Sequence, residues 1–383
     1  MRKFAHITLC LLILMLIPGC WNSKDIQNMA YVTALGIDYE DGKYKSYAQI
    51  LNFTNVAKAD NAEIGKPVPI WVGTGEGRTV TEALTTMYST SQLRVFWGHL
   101  KSVIVTENTM QHGMVEIYEM LNRYREIRYN ILLYGTKEPL KDILTQKSIL
   151  NLSPLETIMN LPQQIYSQRS FILPVYAFKI IAQMDEPSGL AMIPSLEIDN
   201  GIWYEDKEER PMFRINGAYF FHNKEYRGLL SEDDLKGTRW IQRKLQRSPI
   251  NIPDANAGRP VASLILVKPH LYIKPVIDNG QARYVIRVSI NAYIDELIKN
   301  NSSDTLEKMA GVVVKNEILM SYKKGLKQHA DVFMLEEKLY RKYPKKWREL
   351  HRLKPFTLDE HSIKSIDVRV KIDSSGKYKQ RVK

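Results

Sequence analysis

An apolar run that ends in Pro-Gly-Cys limits the means by which this chain can hold itself together. Arg2 and Lys3 precede Ile7 to Ile17, a stretch broken only by Thr8, and Pro18, Gly19 and Cys20 follow. A basic start, a short apolar segment and a small residue before the cut are the layout of a secretory signal. Eleven helical residues span only about 16 Å, roughly half a bilayer core, so the segment is too short to cross a membrane. Residues 1–19 therefore read as a leader that is removed. A cysteine directly after the cut can carry diacylglycerol, which turns an export leader into a lipid anchor and makes Cys20 the expected lipidation site. The plain alternative is a secreted protein with an incidental cysteine. Cys10 falls inside the leader, so a processed chain has one cysteine and no intrachain disulfide. Apolar burial alone must hold the fold, and no cysteine-based metal site or redox pair is available.

Of the 383 residues, 364 remain after the leader, enough for two or three domains. With 44% hydrophobic and 25% charged residues the composition is ordinary for a globular protein. No later apolar run approaches the roughly 20 residues that span a bilayer. The charge is unevenly spread. The whole chain carries +12, whereas residues 301–383 hold 20 lysines and arginines against 11 aspartates and glutamates, a balance of +9. An exported chain does not meet nucleic acid in normal work, so the excess points to anionic headgroups, an acidic partner face or a solvated surface. Within it, Arg341, Lys342, Lys345, Lys346 and Arg348 bracket Pro344 and Trp347 as a candidate basic interaction patch, and Lys323, Lys324 and Lys327 sit within about one helical turn.

Hydrophobic periodicity predicts a mixed α+β or α/β protein of β-sheets packed with helices, and two linker-like stretches, at residues 201–210 and 247–260, part it into three domains. The expected division is a leader at 1–19, an N-terminal α/β domain at 20–200, a small hairpin-helix unit at 201–256 and a C-terminal α+β domain at 257–383. Asp41-Gly42, Asn223-Lys224 and Asn279-Gly280 mark hairpin turns. Val80, Ala83, Leu84 and Met87 recur at helical spacing, and helical patches are expected around Met114 to Leu121, near Leu140 and near Ile158. Ser231 with Asp234 resembles a capping box ahead of a helix through Trp240 and Ile241. The proline-, asparagine- and glycine-rich "RSPINIPDANAGRP" reads as a linker. Asp304, with Glu307 at the third helical position, is expected to open a long helix and Asp331 a further one. The alternation of Ile366, Val368, Val370 and Ile372 with Asp367, Arg369 and Lys371 predicts a strand with one wet face.

Six short motifs in order resemble one family, the lipoprotein C subunits of bacterial spore germinant receptors, called Ger(x)C. They are "GCW" at Gly19 to Trp21, "VTALGID" at Val32 to Asp38, "EGRTVTEA" at Glu76 to Ala83, "GHLK" at Gly98 to Lys101, the hairpin-helix with Arg227-Gly228-Leu229-Leu230, Gly237 and Trp240-Ile241, and "DVF" with "KYPKKW" near the end. The resemblance implies a diacylglyceryl anchor on Cys20, a place on the outer face of the spore inner membrane, and work with two polytopic membrane subunits in sensing nutrients. It implies no catalytic residues and no cofactor.

The residues themselves offer little chemistry. "GTGEGR" invites a phosphate-loop reading, but Arg78 stands where a dinucleotide fingerprint has its third glycine, and no Gly-Lys-Ser/Thr follows. "DYEDG" cannot continue into a calcium loop. Seven histidines follow the leader, His99, His112, His222, His270, His329, His351 and His361, with no metal-ligand spacing among them and none paired with a nucleophile. His99, beside Gly98, reads first as a histidine satisfied by backbone and only then as a ligand. No catalytic, metal or cofactor site is assigned. A lipid-anchored solute-binding protein feeding a transporter fits the length and leader equally well.

Overall fold

The computed structural model describes residues 29–51, 68–254 and 258–374. Cys20 and the basic tail beyond Ser374 lie outside them. The mixed α+β expectation is met by two main sheets with helices packed on them.

Among the described residues the first sheet has nine strands. β1 (Met29–Glu40) and β2 (Lys43–Leu51) form the expected hairpin, with Asp41 and Gly42 both at positive φ as a type I′ turn requires. β3 (Trp71–Gly77) continues that edge, and short β4 (Arg94–Phe96) runs parallel to the start of β1. On the other side β5 (Ser102–Thr106), β6 (Leu132–Thr136) and β7 (Ala191–Asp199) follow in parallel, closed by antiparallel β10 (Met212–His222) and β11 (Glu225–Ser231). Between β7 and β10 lies a two-residue-per-strand ribbon, β8 (Tyr204–Glu205) and β9 (Glu208–Glu209). Central strands are apolar on both faces because helices cover both. Val103 and Val105 face one core with α1 (Val80–Thr86), α2 (Glu107–His112), α3 (Val115–Arg123) and α6 (Ala177–Asp185), whereas Ile104 faces another with α4 (Leu140–Thr145).

The glycine-rich corner has a packing cause. A Cβ on Gly75 would stand 2.0 Å from the Ala83 carbonyl oxygen, so its absence lets α1 lie against β3. Near Ile158, where a helix is expected, Ile158 itself lies in a turn between a 3₁₀ turn at Pro154–Glu156 and the helix α5 (Pro162–Gln168), which starts at a proline whose missing N–H is harmless at a first helical position.

The second sheet runs β12–β13–β14–β15, with β12 (Ser248–Pro253), β13 (Pro260–Asp278), β14 (Gln281–Leu297) and β15 (Ile363–Ser374). β12 corrects the linker reading of residues 248–253. Its prolines are tolerated because it is an edge strand, where an amide can be missing on the outer side. β13 and β14 turn at Asn279-Gly280, both at positive φ. α7 (Ser303–Lys327) lays Leu306, Ala310, Val314, Ile318 and Tyr322 on this sheet at a spacing of four. Its cap is Ser302, which accepts from the Thr305 amide, rather than Asp304. α8 (Leu335–Lys342) and α9 (Pro344–Leu353) complete the layer.

The β10–β11 hairpin is a wall shared by both cores. Ala218, Phe220 and Leu230 pack into the core of the second sheet, while Tyr219 and Phe221 pack into the first. Past it, Ser231 and Asp234 form the reciprocal bonds of a capping box, and residues Lys236–Ile241 make a tight 3₁₀ helix against α7.

Candidate functional site

The basic patch expected from sequence gathers on α8 and α9. Leu339, Trp347 and Leu350 turn inward, which leaves Lys342, Lys345 and Arg348 exposed. Arg341 lies 2.7 Å from Glu186 and 2.8 Å from Glu337, and Lys346 lies 2.6 Å from Glu349. Three carboxylates thus neutralise part of the charge that composition alone counts. The Lys342 ammonium stands 5.2 Å from the Tyr343 ring, and Arg348 donates to the Pro344 carbonyl.

A second basic surface escapes sequence reading altogether. An open cleft of about 1010 Å³ on the outer face of the second sheet is lined by Arg243, Lys244, Lys268, His270, Arg287 and Arg369, with Asp367 as its acidic member. The β13 register shifts between Val267 and His270, and Lys268 sits there at φ 51°. These side chains come from four separate segments, so no linear pattern announces them.

Where the hairpin wall meets α8 and α9, a polar cluster is buried. His222 ends β10, Glu336 lies in the first turn of α8 and His351 lies on α9. Their side chains are 1%, 0% and 10% exposed. His222 Nε2 stands 2.9 Å from Glu336 Oε2, and His351 Nε2 stands 3.5 Å from Oε1. The Thr357 amide and hydroxyl donate to Oε1 at 2.8 and 2.7 Å. His351 Nδ1 donates to the Trp347 carbonyl at 3.1 Å, and its ring stacks on the Trp347 indole. Asp331, expected to open a helix, instead accepts from the Phe333 and Glu336 amides and so caps α8 from outside. Burial alone raises the Glu336 pKa, but His222 and His351, whose ring nitrogens approach its two oxygens, outweigh burial and hold the carboxyl well below the usual range. Burial, reinforced by the charge of Glu336, raises the Asp331 carboxyl. Sequence spacing cannot find this set, because its members are brought together by the packing of one sheet's edge against the other's helices. His99, the histidine singled out in the sequence, instead meets Tyr31 edge-on and Phe96 at a tilt, and is held below its usual pKa, mainly by burial.

Comparison with known proteins agrees with both halves of this architecture. Residues 22–198 match the family described as "Spore germination protein N-terminal domain", and residues 216–376 match "Spore germination B3/ GerAC like, C-terminal". The chain belongs to the Ger(x)C family. Among Ger(x)C relatives, it is 23% identical to spore germination protein KC of Bacillus subtilis (strain 168), over 97% of this chain and 95% of that one. It is 24% identical to spore germination protein B3 of the same organism, over 77% and 76%. A crystal structure of the GerBC protein superposes with a TM-score of 0.55 at 17% identity, covering 91% of this chain and all of that one, a likeness of fold. Among the described residues of this Ger(x)C protein, no helix is long and apolar enough to cross a membrane.

Proposed function

We propose that this Ger(x)C chain is a lipid-anchored, non-enzymatic subunit of a nutrient germinant receptor. In this reading diacylglycerol on Cys20 holds it on the outer face of the spore inner membrane, where it serves as an interaction scaffold for two polytopic membrane subunits. The family match across both halves carries the reading. The leader ending at Gly19 supports the anchor, since one acyl chain binds membranes only marginally whereas two hold a protein stably. The patch from Arg341 to Arg348 and the cleft around Arg287 give the anchored body two basic surfaces for acidic loops or anionic headgroups.

The test is fractionation of spores carrying Cys20→Ala, together with affinity capture of the wild-type chain. The variant should stay uncleaved or leave the membrane fraction, and the captured wild type should bring down polytopic subunits. Normal processing with full retention would remove the anchor. Capture without membrane subunits, combined with direct nutrient binding in isothermal titration, would favour a solute-binding protein instead.

A further inference from the structure

We infer that His222, Glu336 and His351 form a binding site for a divalent transition cation of the zinc type, clamping the end of β10 to α8 and α9. The three ligand atoms, one from each side chain, lie within 4.8 Å of one another. Two imidazoles and one carboxylate are a donor set suited to zinc or cobalt, whereas calcium and magnesium prefer six or more oxygens.

The hydrogen bonds around the cluster point the same way. A carbonyl oxygen only accepts, so the bond to Trp347 O places the hydrogen of His351 on Nδ1. In the neutral ring the Nε2 lone pair then faces Glu336 Oε1 across 3.5 Å, and this buried nitrogen makes no hydrogen bond among the described residues. A lone pair aimed at a carboxylate oxygen in a buried site calls for a group that bridges them: a proton, a water molecule that donates to both, or a metal ion. Ligating histidines characteristically donate their other ring N–H to a backbone carbonyl, and ligating carboxylates are themselves hydrogen-bonded. Trp347 O and the two Thr357 donors supply those outer contacts here. Among the described residues His222 Nδ1 has no hydrogen-bond partner, and its Nε2 stands 2.9 Å from Glu336 Oε2, a distance that a proton on Nε2 fits as well as a shared metal ion does. The Phe356 ring stands edge-on to His222 at 5.5 Å and closes that side with apolar surface. Because one ligand ends a strand of the first sheet and the other two lie on helices packed on the second, cation binding would favour the joined state over one in which β10 and the α8–α9 pair separate.

The experiment uses the full chain in detergent, stripped with a chelator, and titrated with Co²⁺ and then Zn²⁺. The expected result is one equivalent of Co²⁺ per chain by elemental analysis, visible d–d absorption that Zn²⁺ abolishes, and affinity lowered at least about tenfold in His222→Gln and in His351→Gln. Since substitutions in so buried a cluster can unfold the chain, the wild type is also read alone: bound Co²⁺ must shift the ring-proton resonances of two histidines. A stripped wild type that takes up neither metal would overturn the inference and leave a proton or a water molecule as the bridge. Unchanged Co²⁺ affinity in folded His222→Gln/His351→Gln would overturn it equally, by placing the metal elsewhere.

Discussion

The Trp240 indole N–H donates to Glu317 Oε2 at 2.7 Å, and the same carboxylate receives the Arg239 guanidinium at 2.9 and 3.1 Å. One acidic side chain on α7 thereby satisfies two consecutive residues of the 3₁₀ helix that follows the hairpin. Trp240 is fully buried in the core of the second sheet. Trp240→Ala should therefore lower stability by about 3–5 kcal/mol, read as a shift of the denaturation midpoint. An unchanged midpoint would show that the indole is not part of the core.

Arg239 is nearly as buried as its neighbour, and also donates to Ser248 at 3.0 Å. Arg239→Ala leaves Glu317 without its cation, and the expected loss is about 3–5 kcal/mol. In Arg239→Ala/Glu317→Ala the loss should be smaller than the sum of the single losses. Additive single effects in a double-mutant cycle would disprove the coupling.

Gly237 is fixed by contact rather than by dihedral angle. A Cβ there would meet the Glu317 carbonyl oxygen at 2.3 Å, and the Gly237 amide donates to Ser321 Oγ at 2.8 Å. Gly237→Ala should force the 3₁₀ helix off α7 and lower stability by about 1–3 kcal/mol. A neutral or stabilising effect in thermal melts would contradict this packing.

Asp359 ties the parallel pairing of β14 and β15 through Arg283, at 2.9 Å. Burial opposes its charge, but hydrogen bonds from Ser362 and Arg283 win and lower its carboxyl pKa. A depressed folded-state value stabilises above the ordinary aspartate pKa of 3.8 and is lost as pH falls through the folded value. Arg283→Gln should thus destabilise at neutral pH and shrink the loss below pH 3.8, a difference that acid denaturation curves of the two proteins would reveal or refute.

Charge reversal at Lys342, Lys345 and Lys346 should weaken co-sedimentation of residues 21–383 with anionic vesicles, and the binding that remains should fall steeply with salt. The effect should be smaller than three full lysine charges imply, because Lys346 is already paired with Glu349 and Glu337 lies close by on Arg341. The same reversal at Arg243, Lys244 and Arg287 acts on a cleft with one carboxylate. It should weaken binding more. Equal binding to neutral vesicles would remove the lipid role for both surfaces.

What sequence alone determined is what depends on neighbours in the chain. Asn223 and Lys224 turn a hairpin because two residues at positive φ match the twist of adjoining strands, and that demand is local. Val80, Ala83 and Leu84 make a helical stripe by spacing, and Ile366 and Val370 a strand face by alternation. The six ordered motifs were equally legible, being linear. Tertiary structure decided what depends on residues far apart. Residues 201–256 show their hairpin and helix in sequence, yet only pairing across space puts β10 and β11 on the first sheet and β12 on the second. Pro249 reads as a breaker until its strand is known to be an edge. His222, Glu336 and His351 carry no shared spacing, and they meet because the hairpin's two faces must be buried by different cores, which draws α8 and α9 against the end of β10.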